Sequence, residues 1–146
     1  MFAINNRKER GATLVEFAIG ATVFLTAMFA VLEFGRALWV HNALSDAARR
    51  GARYAVLNPA SDSASVKNVV VFGDPAGGTK PLVENLTTSK VDVTYSGFTL
   101  DGGTASVTIT GYEFQLVIPL IGTKIQMPDY RTTLTGESTG LIPPNI

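Results

Sequence analysis

The chain has 146 residues, of which 46% are hydrophobic and 16% are charged, and it contains no cysteine. This composition is too apolar for a disordered protein, and the lack of cysteine excludes disulfide bonds and thiolate metal sites. The net charge of zero hides an asymmetry, since residues 1–57 hold seven Lys or Arg against four Asp or Glu and residues 58–146 hold five against eight. We therefore predict that the two halves face different surroundings, or each other.

A charge-free apolar run, FAIGATVFLTAMFAVL at residues 17–32, follows a basic start to the chain. Counted from Ala12, the run is ~31 Å long as a helix, about the thickness of one hydrocarbon core. Three basic residues come directly before it, and the positive-inside rule then places the N-terminus in the cytoplasm. We predict a leader over residues 1–11, a single transmembrane helix over residues 12–33, and export of everything that follows. The three basic residues are Arg7, Lys8 and Arg10.

Two other interpretations of this segment stay open. One is a cleaved secretory signal peptide, but the run is long for its apolar part, and the best cut site, Gly35-Arg36-Ala37, has an arginine in the middle. The other is a plain membrane anchor, which explains the run and its basic flank but leaves Glu16 unexplained. An ionisable group on a membrane helix costs ~2.5–3.5 kcal/mol near the centre and less near the end. We therefore expect Glu16 to serve a partner.

One face of the transmembrane segment carries a small side chain at every fourth position. Such a stripe lets two helix backbones approach closely, and threonine can hydrogen-bond across the contact. We predict that this stripe is a helix-packing face, with chance as the alternative, because Ala, Gly and Thr are common in the segment. The stripe consists of Ala18, Thr22, Thr26 and Ala30.

The helix is predicted to continue past the membrane, from about residue 13 to residue 57, with residues 34–58 as an amphipathic extension. Asn58-Pro59 is its stop signal, and Gly35 and Gly51 are positions where it can bend. Small and apolar residues recur along one face of the extension at helical spacing. They are Ala37, Val40, Leu44, Ala47, Ala48, Gly51 and Ala55.

The exported part, residues 59–146, is predicted to be a β-rich domain. Residues 59–65 are typical of a linker, and residues 112–128 of an apolar loop that lies over the sheet or over the membrane surface, because Pro and Gly interrupt it. A turn signal at residues 100–103 joins two strands as a hairpin. The helix stripe would cover the sheet, which gives an α+β fold: a long helix followed by a small antiparallel sheet. The predicted strands are residues 66–72, 90–95, 105–110 and 130–135.

Nothing in the sequence indicates a catalytic or metal-binding site. The single histidine, His41, has Ser45 and Asp46 close to it on the helix, but nothing marks the serine as strained or exposed, so an envelope enzyme is a remote alternative. No cofactor is predicted, and the acidic residues lack the spacing of a metal-binding loop. The arginines within residues 49–53 indicate a solvated face or a lipid-headgroup contact rather than a nucleic-acid site, because they emerge outside the cytoplasm.

Two stretches resemble a known family, and they lie at the right separation. RGATLVEF, at residues 10–17, resembles the processing site of type IV pilin-like precursors, in which a basic leader ends in glycine and a glutamate lies five residues past the cut. EFGRALWVHNALSDAARRGARYA, at residues 33–55, is similar to the second motif of the TadE-like pseudopilins of tight-adherence pilus systems. The resemblance covers residues 7–58. The second motif opens with Glu33, Phe34, Gly35 and Arg36.

The resemblance implies a structural or assembly subunit of a bacterial tight-adherence pilus. A prepilin peptidase would cut between Gly11 and Ala12, and Glu16 would pair with the new amine of Ala12 on a neighbouring subunit. The partners would be that peptidase, other pilins or pseudopilins, the assembly platform proteins and the lipid bilayer, with no nucleic acid. The subunit would span the inner membrane once, with its N-terminus in the cytoplasm and its C-terminal domain in the periplasm or outside the cell. The alternative is a membrane-anchored exported binding domain that does not join a filament.

Overall fold

The computed structural model describes residues 6–99, 102–117 and 124–136. Its first element is helix α1, Asn6–Leu57, which has 52 residues and is about 78 Å long. The helix is uninterrupted at Gly35 and Gly51, and it ends at the predicted stop signal, Asn58-Pro59. The sequence prediction of one long helix is confirmed.

The predicted linker and first strand are wrong, because both lie in helical structure. Ala60–Asp62 forms a 3₁₀ turn, and helix α2, Ser63–Phe72, follows at once. Val66, Val69 and Val70 are buried, and their i, i+3, i+4 spacing is that of a helix face rather than of a strand. Gly73 ends α2 in the left-handed region (φ 81°), where its N–H donates to the carbonyl oxygen of Val69. Burial against α1 thus overrides the β-propensity of the valines.

The main sheet has three antiparallel strands in the order β1–β2–β5. They are β1, Val91–Thr99; β2, Gly102–Ile109; and β5, Tyr130–Thr135. Val93 pairs with Val107, and Val107 pairs on its other side with Thr132, so β2 is the central strand. The three remaining strand predictions and the hairpin between β1 and β2 are confirmed. The turn residues Leu100 and Asp101 lie outside the described residues.

A second, two-stranded sheet interrupts the segment that was predicted to be a loop. Strand β3, Glu113–Gln115, pairs antiparallel with β4, Lys124–Gln126, and Phe114 lies opposite Ile125. We call these two strands the ribbon. The loop prediction is therefore wrong for these six residues, where polar and apolar side chains alternate as in a strand. Residues 118–123 lie outside the described part of the chain.

The core lies between the second half of α1 and the main sheet. Helix α1 contacts β2, β5 and α2, and its predicted apolar stripe is the face that it buries. Alanine dominates that face, so the helix axis can approach the sheet closely. Leu44 is the largest fully buried side chain of the stripe, and its truncation to alanine would cost ~2–5 kcal/mol. Of the predicted stripe, Ala37 is half-buried and the other six residues are buried, together with Ala52 and Val56 beside them; the six are Val40, Leu44, Ala47, Ala48, Gly51 and Ala55.

Gly51 is a point of close approach between α1, α2 and the main sheet. A Cβ placed on Gly51 would lie 2.2 Å from Val70 Cγ2 and 3.4 Å from Val107 Cγ1. Real carbon atoms do not approach to 2.2 Å, so α2 can pack here only because the residue has no side chain. The sequence indicates Gly51 as a position where the helix can bend. In the structure, its lack of a side chain leaves room for Val70.

Candidate functional site

The first half of α1 exposes apolar side chains around its whole circumference. The large apolar residues between Leu14 and Phe34 are 40–74% exposed, and none of them joins the core. In the described part of the chain, the segment Gly11–Leu57 is the one helix long and apolar enough to cross a membrane. This half of the helix is compatible with anchoring of the chain by a single span.

Gly11, Ala12 and Glu16 lie together at the start of this exposed half. Glu16 is exposed and forms no hydrogen bond or ion pair with any other described residue. It lies four residues after Ala12, which places the two on the same side of the helix one turn apart. A Cβ at Gly11 would meet no atom within 4 Å, so the fold itself does not require glycine there.

The stripe of small residues also faces outward, but its hydroxyl groups are already engaged. Thr22 Oγ1 donates to the carbonyl oxygen of Ala18, and Thr26 Oγ1 donates to that of Thr22, each at 2.8 Å. These bonds use the threonine donors within the helix and leave only acceptor lone pairs for a neighbour. A partner helix on this face would therefore be held by close packing more than by threonine hydrogen bonds.

The second motif connects α1 to the ribbon. Arg36 forms an ion pair with Glu33 at 2.8 Å, and its guanidinium group lies over the ring of Phe114, 4.4 Å from the centroid. The same guanidinium group donates to the backbone carbonyl oxygen of Gln115. Cation–π and charge-assisted contacts of this kind are each worth ~1 kcal/mol or more when partly buried. We call this group of contacts the clamp.

The other two residues that open the second motif point away from the clamp. Phe34 is 66% exposed, and a Cβ on Gly35 would meet no atom within 4 Å. The motif therefore has two sides. Glu33 and Arg36 fix the ribbon on the helix, whereas Phe34 and Gly35 leave an open face.

The ribbon carries an ion pair on its polar face. Lys124 Nζ donates to Glu113 Oε2 at 2.9 Å across the two strands. This hydrogen bond, together with the lysine charge, lowers the pKa of the Glu113 carboxyl, and the same hydrogen bond raises the pKa of Lys124. Both groups are solvent-exposed, so the pair adds little to stability.

A cleft of about 200 Å³ opens beside the clamp, between α1 and β3. Tyr112 closes one side of it, and the tyrosine hydroxyl donates to the carbonyl oxygen of Glu84 at 2.7 Å. Burial raises the pKa of Tyr112, the charge of Glu84 raises it further, and the charge of Arg36 lowers it. Trp39 and Val117 line the same cleft at its outer rim, and both are well exposed.

The residues of the envelope-enzyme alternative have structural partners. His41 Nδ1 lies 2.8 Å from the hydroxyl of Tyr130, with the rings edge to face. Ser45 Oγ donates to the carbonyl oxygen of His41, and Asp46 pairs with Arg50 at 3.1 Å. The imidazole ring of His41 therefore contacts Tyr130 of the sheet, and the serine hydroxyl bonds to the histidine backbone. Among the described residues, no three His, Asp or Glu side chains are grouped to hold a metal ion.

Comparison with known families gives a match that overlaps both motifs. Residues 11–53 match the family model of TadE-like proteins. The match confirms the resemblance that the sequence motifs indicated, and it indicates a membrane protein associated with tight-adherence pili. The TadE-like family is a family of structural pilus components and is not known for enzymes. Searches of curated proteins and of solved structures give no match to the chain.

The TadE-like segment begins at Gly11 and ends at Arg53, so it includes the exposed half of α1 and most of the buried stripe. Most of the predicted processing motif, the stripe of small residues and most of the second motif lie within it. Sequence reasoning missed the clamp, because the partners of Arg36 lie far along the chain, at Phe114 and Gln115. The only local signal was the alternation around Phe114, which predicts a strand but does not name its neighbour.

Proposed function

We propose that this chain is a pilin-like assembly subunit of a tight-adherence pilus. It is anchored in the inner membrane by residues 12–33, with residues 1–11 as a cytoplasmic leader, and it exposes the remainder on the far side. The observation that carries this proposal is the division of α1 into a wholly exposed apolar half and a buried alanine-rich half. The TadE-like segment runs through both halves, as expected of one helix that serves lipid, neighbours and core.

Processing at Gly11 is the first step that we propose. A prepilin peptidase cuts between Gly11 and Ala12 and leaves a charged amine at the start of the apolar helix. Gly11 lies inside α1, and a peptide bond must leave the helix to enter a protease site. Glycine lowers the helix stability at this point by about 1 kcal/mol relative to alanine, which favours that opening.

Glu16 then acts in assembly. A carboxylate and an amine are each costly in hydrocarbon, and removing one member of a buried pair leaves the other uncompensated at ~3–5 kcal/mol. Glu16 has no partner among the described residues, so it is available to the Ala12 amine of a neighbouring subunit. The Ala12 amine of its own chain lies one turn away and competes for it. A correctly staggered neighbour wins when it also packs along the face formed by Ala18, Thr22, Thr26 and Ala30.

The proposed partners follow from these surfaces. They are the prepilin peptidase at the leader, other pilins or pseudopilins along the apolar helix, the platform proteins that assemble the pilus, and the lipid bilayer. The alternative function is a membrane-anchored binding domain outside any filament. Such an anchor would retain its leader, so the N-terminal residue of the mature protein distinguishes the two functions.

The test is the substitution Glu16→Gln, which keeps the shape of the side chain and removes its charge. The variant should reach the membrane at normal levels and be cleaved, because a neutral side chain is easier to bury and the cut lies beyond Ala12. It should then fail to support surface pili. Complementation of a deletion strain, with membrane level, N-terminal mass and pilus count as readouts, measures all three steps.

The matched control is Glu9→Gln, the same substitution in the leader, which cleavage removes and which should leave pili normal. Normal pili in the Glu16→Gln strain would contradict the pairing. Loss of cleavage together with loss of pili would instead place Glu16 in recognition by the peptidase.

A further inference from the structure

Several apolar side chains outside the membrane segment are left exposed beside the clamp. On α1, Trp39 is 60% exposed, and Val117, two residues past the end of β3, is 70% exposed. On β4, Ile125 is 45% exposed, next to Lys124, whose side chain is 60% exposed. Apolar groups in such numbers at one level of a small domain indicate a contact that the isolated chain does not satisfy. We call these four residues the collar.

The clamp fixes the height of the collar above the membrane. Arg36 lies four residues past Leu32, where the charge-free run ends, which is ~6 Å along the helix axis. Because Arg36 contacts Phe114 and Gln115, strand β3 lies at that same height. The polar layer of a bilayer is ~5–8 Å thick on each side of the hydrocarbon. The ribbon therefore lies at the level of the lipid headgroups when the apolar run spans the membrane.

The orientation of the ribbon agrees with that height. Ile125 is the cross-strand partner of Phe114, and cross-strand partners in an antiparallel pair share one face. Phe114 contacts Arg36 and is buried, whereas its cross-strand partner Ile125 is half-exposed. The apolar face of β4 therefore lies close to the part of α1 that directly follows the apolar run.

We propose that the collar is a second membrane contact, in which the ribbon rests in the headgroup layer beside the spanning helix. The proposal rests on the membrane anchoring given under the proposed function. Trp39 lies ~10 Å past Leu32 along the helix axis, and a helix directs its side chains back toward its N-terminus, so the ring reaches the layer where membrane proteins enrich tryptophan. The ammonium group of Lys124 donates one hydrogen bond to Glu113 and has further N–H donors for lipid phosphates. The collar contacts the bilayer rather than another protein, because along the axis of α1 it directly follows the lipid-facing surface of the apolar half.

The chain contains one tryptophan, which makes fluorescence a direct test. In a Trp39→Phe background, single tryptophans are placed at four sites by Phe24→Trp, Val117→Trp, Ile125→Trp and Leu57→Trp. The full chain is reconstituted in vesicles of phosphatidylethanolamine and phosphatidylglycerol whose lipids carry bromine either near the headgroup or near the bilayer centre. Bromine quenches tryptophan on contact, so each site reports its depth.

The four sites form matched controls. Phe24 lies in the middle of the apolar run, and Leu57 is 61% exposed but lies ~36 Å beyond Glu33 along the helix. We expect the tryptophans at 117 and 125 to lose most of their fluorescence to shallow bromine and much less to deep bromine. The tryptophan at 24 should respond most to deep bromine, and the one at 57 to neither. Two reporters on the collar guard against one of them disturbing the ribbon.

The possible outcomes separate this proposal from the one it rests on. Quenching at 24 without quenching at 117 and 125 overturns the second contact and leaves the anchoring intact. No quenching at 24 overturns the anchoring and the second contact with it. Emission at 117 and 125 that is shifted to the blue but unquenched, and that depends on the protein-to-lipid ratio, would show that a second copy covers the collar, which also overturns the proposal.

Discussion

Gly51→Ala is the sharpest test of how the long helix packs against the domain that follows it. The added methyl group would lie 2.2 Å from Val70 Cγ2, well inside the ~3.5–4.0 Å that two carbon atoms prefer. Val70 and Val107 are both fully buried, so neither side chain can turn into solvent to make room.

The magnitude follows from two opposing terms. Alanine in a helix is favoured over glycine by about 1 kcal/mol. Overpacking of a dense core costs ~1–3 kcal/mol, and a separation this short in a fully buried site places the cost near the upper end. We therefore expect Gly51→Ala to lower the free energy of unfolding by ~2 kcal/mol. The control is Gly35→Ala in the same helix, where the new methyl group meets no atom within 4 Å and should be neutral or slightly stabilising.

The assay is urea unfolding of the detergent-solubilised full chain, with the folded fraction measured by pulse proteolysis. Val70→Ala removes the atom that clashes, so it provides a double-mutant cycle. The double variant Gly51→Ala, Val70→Ala should be no less stable than Val70→Ala alone. Strictly additive losses, or a Gly51→Ala variant as stable as Gly35→Ala, would refute the close approach as the reason for glycine.

Three further predictions concern the leader, the apolar helix and the ribbon. Gly11→Val should block cleavage, as seen by the N-terminal mass of the membrane protein, while the unfolding midpoint stays unchanged, because Gly11 has open space around it; a cleaved variant would contradict the processing site. Because the chain has no cysteine, single cysteines can be scanned along α1, and disulfide cross-links between subunits should concentrate at 18, 22, 26 and 30; equal cross-linking at 19, 23 and 27 would contradict a packing face. The Glu113–Lys124 pair should support the ribbon above the ordinary glutamate pKa of 4.5 and below the ordinary lysine pKa of 10.5, since the carboxyl pKa is lowered and the lysine pKa is raised. Its contribution is lost as pH falls through the lowered pKa of Glu113 or rises through the raised pKa of Lys124, and NMR titration should show Lys124→Ala returning the Glu113 pKa toward 4.5.

The helix and the sheet could be predicted because their signals are periodic and local. The alanine-rich stripe repeats along α1 at helical spacing, and the alternation in residues 105–109 reports a half-buried strand. The strand prediction for residues 66–72 is wrong, although three valines of this segment are consecutive and β-branched residues favour strands. The packing of this segment against α1, including the close contact of Val70 with Gly51, favours a helix, and that contact cannot be read from residues 63–72 alone.

The candidate site divides in the same way. The proposed roles of Glu16 and of the predicted processing motif could be inferred from the sequence, because a charge at the edge of an apolar run is conspicuous in a short stretch of sequence. The clamp and the collar depend on the contact between Arg36 and Phe114, two residues that lie far apart in the sequence. No spacing rule connects them, since the contact is set by how the ribbon returns to the helix after the main sheet is formed.

Helix α1 carries the apolar segment that we propose to span the membrane, and its second half packs against the main sheet, with no linker between the two halves. Rotation of the apolar half about the axis of α1, or its translation along that axis, moves the main sheet by the same angle or the same distance. Along the proposed filament, the rotation that relates one folded domain to the next would therefore equal the rotation that relates one apolar helix to the next. For the same reason, a protease cannot release the folded domain by cutting between residues 40 and 57, because the cut would take part of the buried face of α1 away from the sheet.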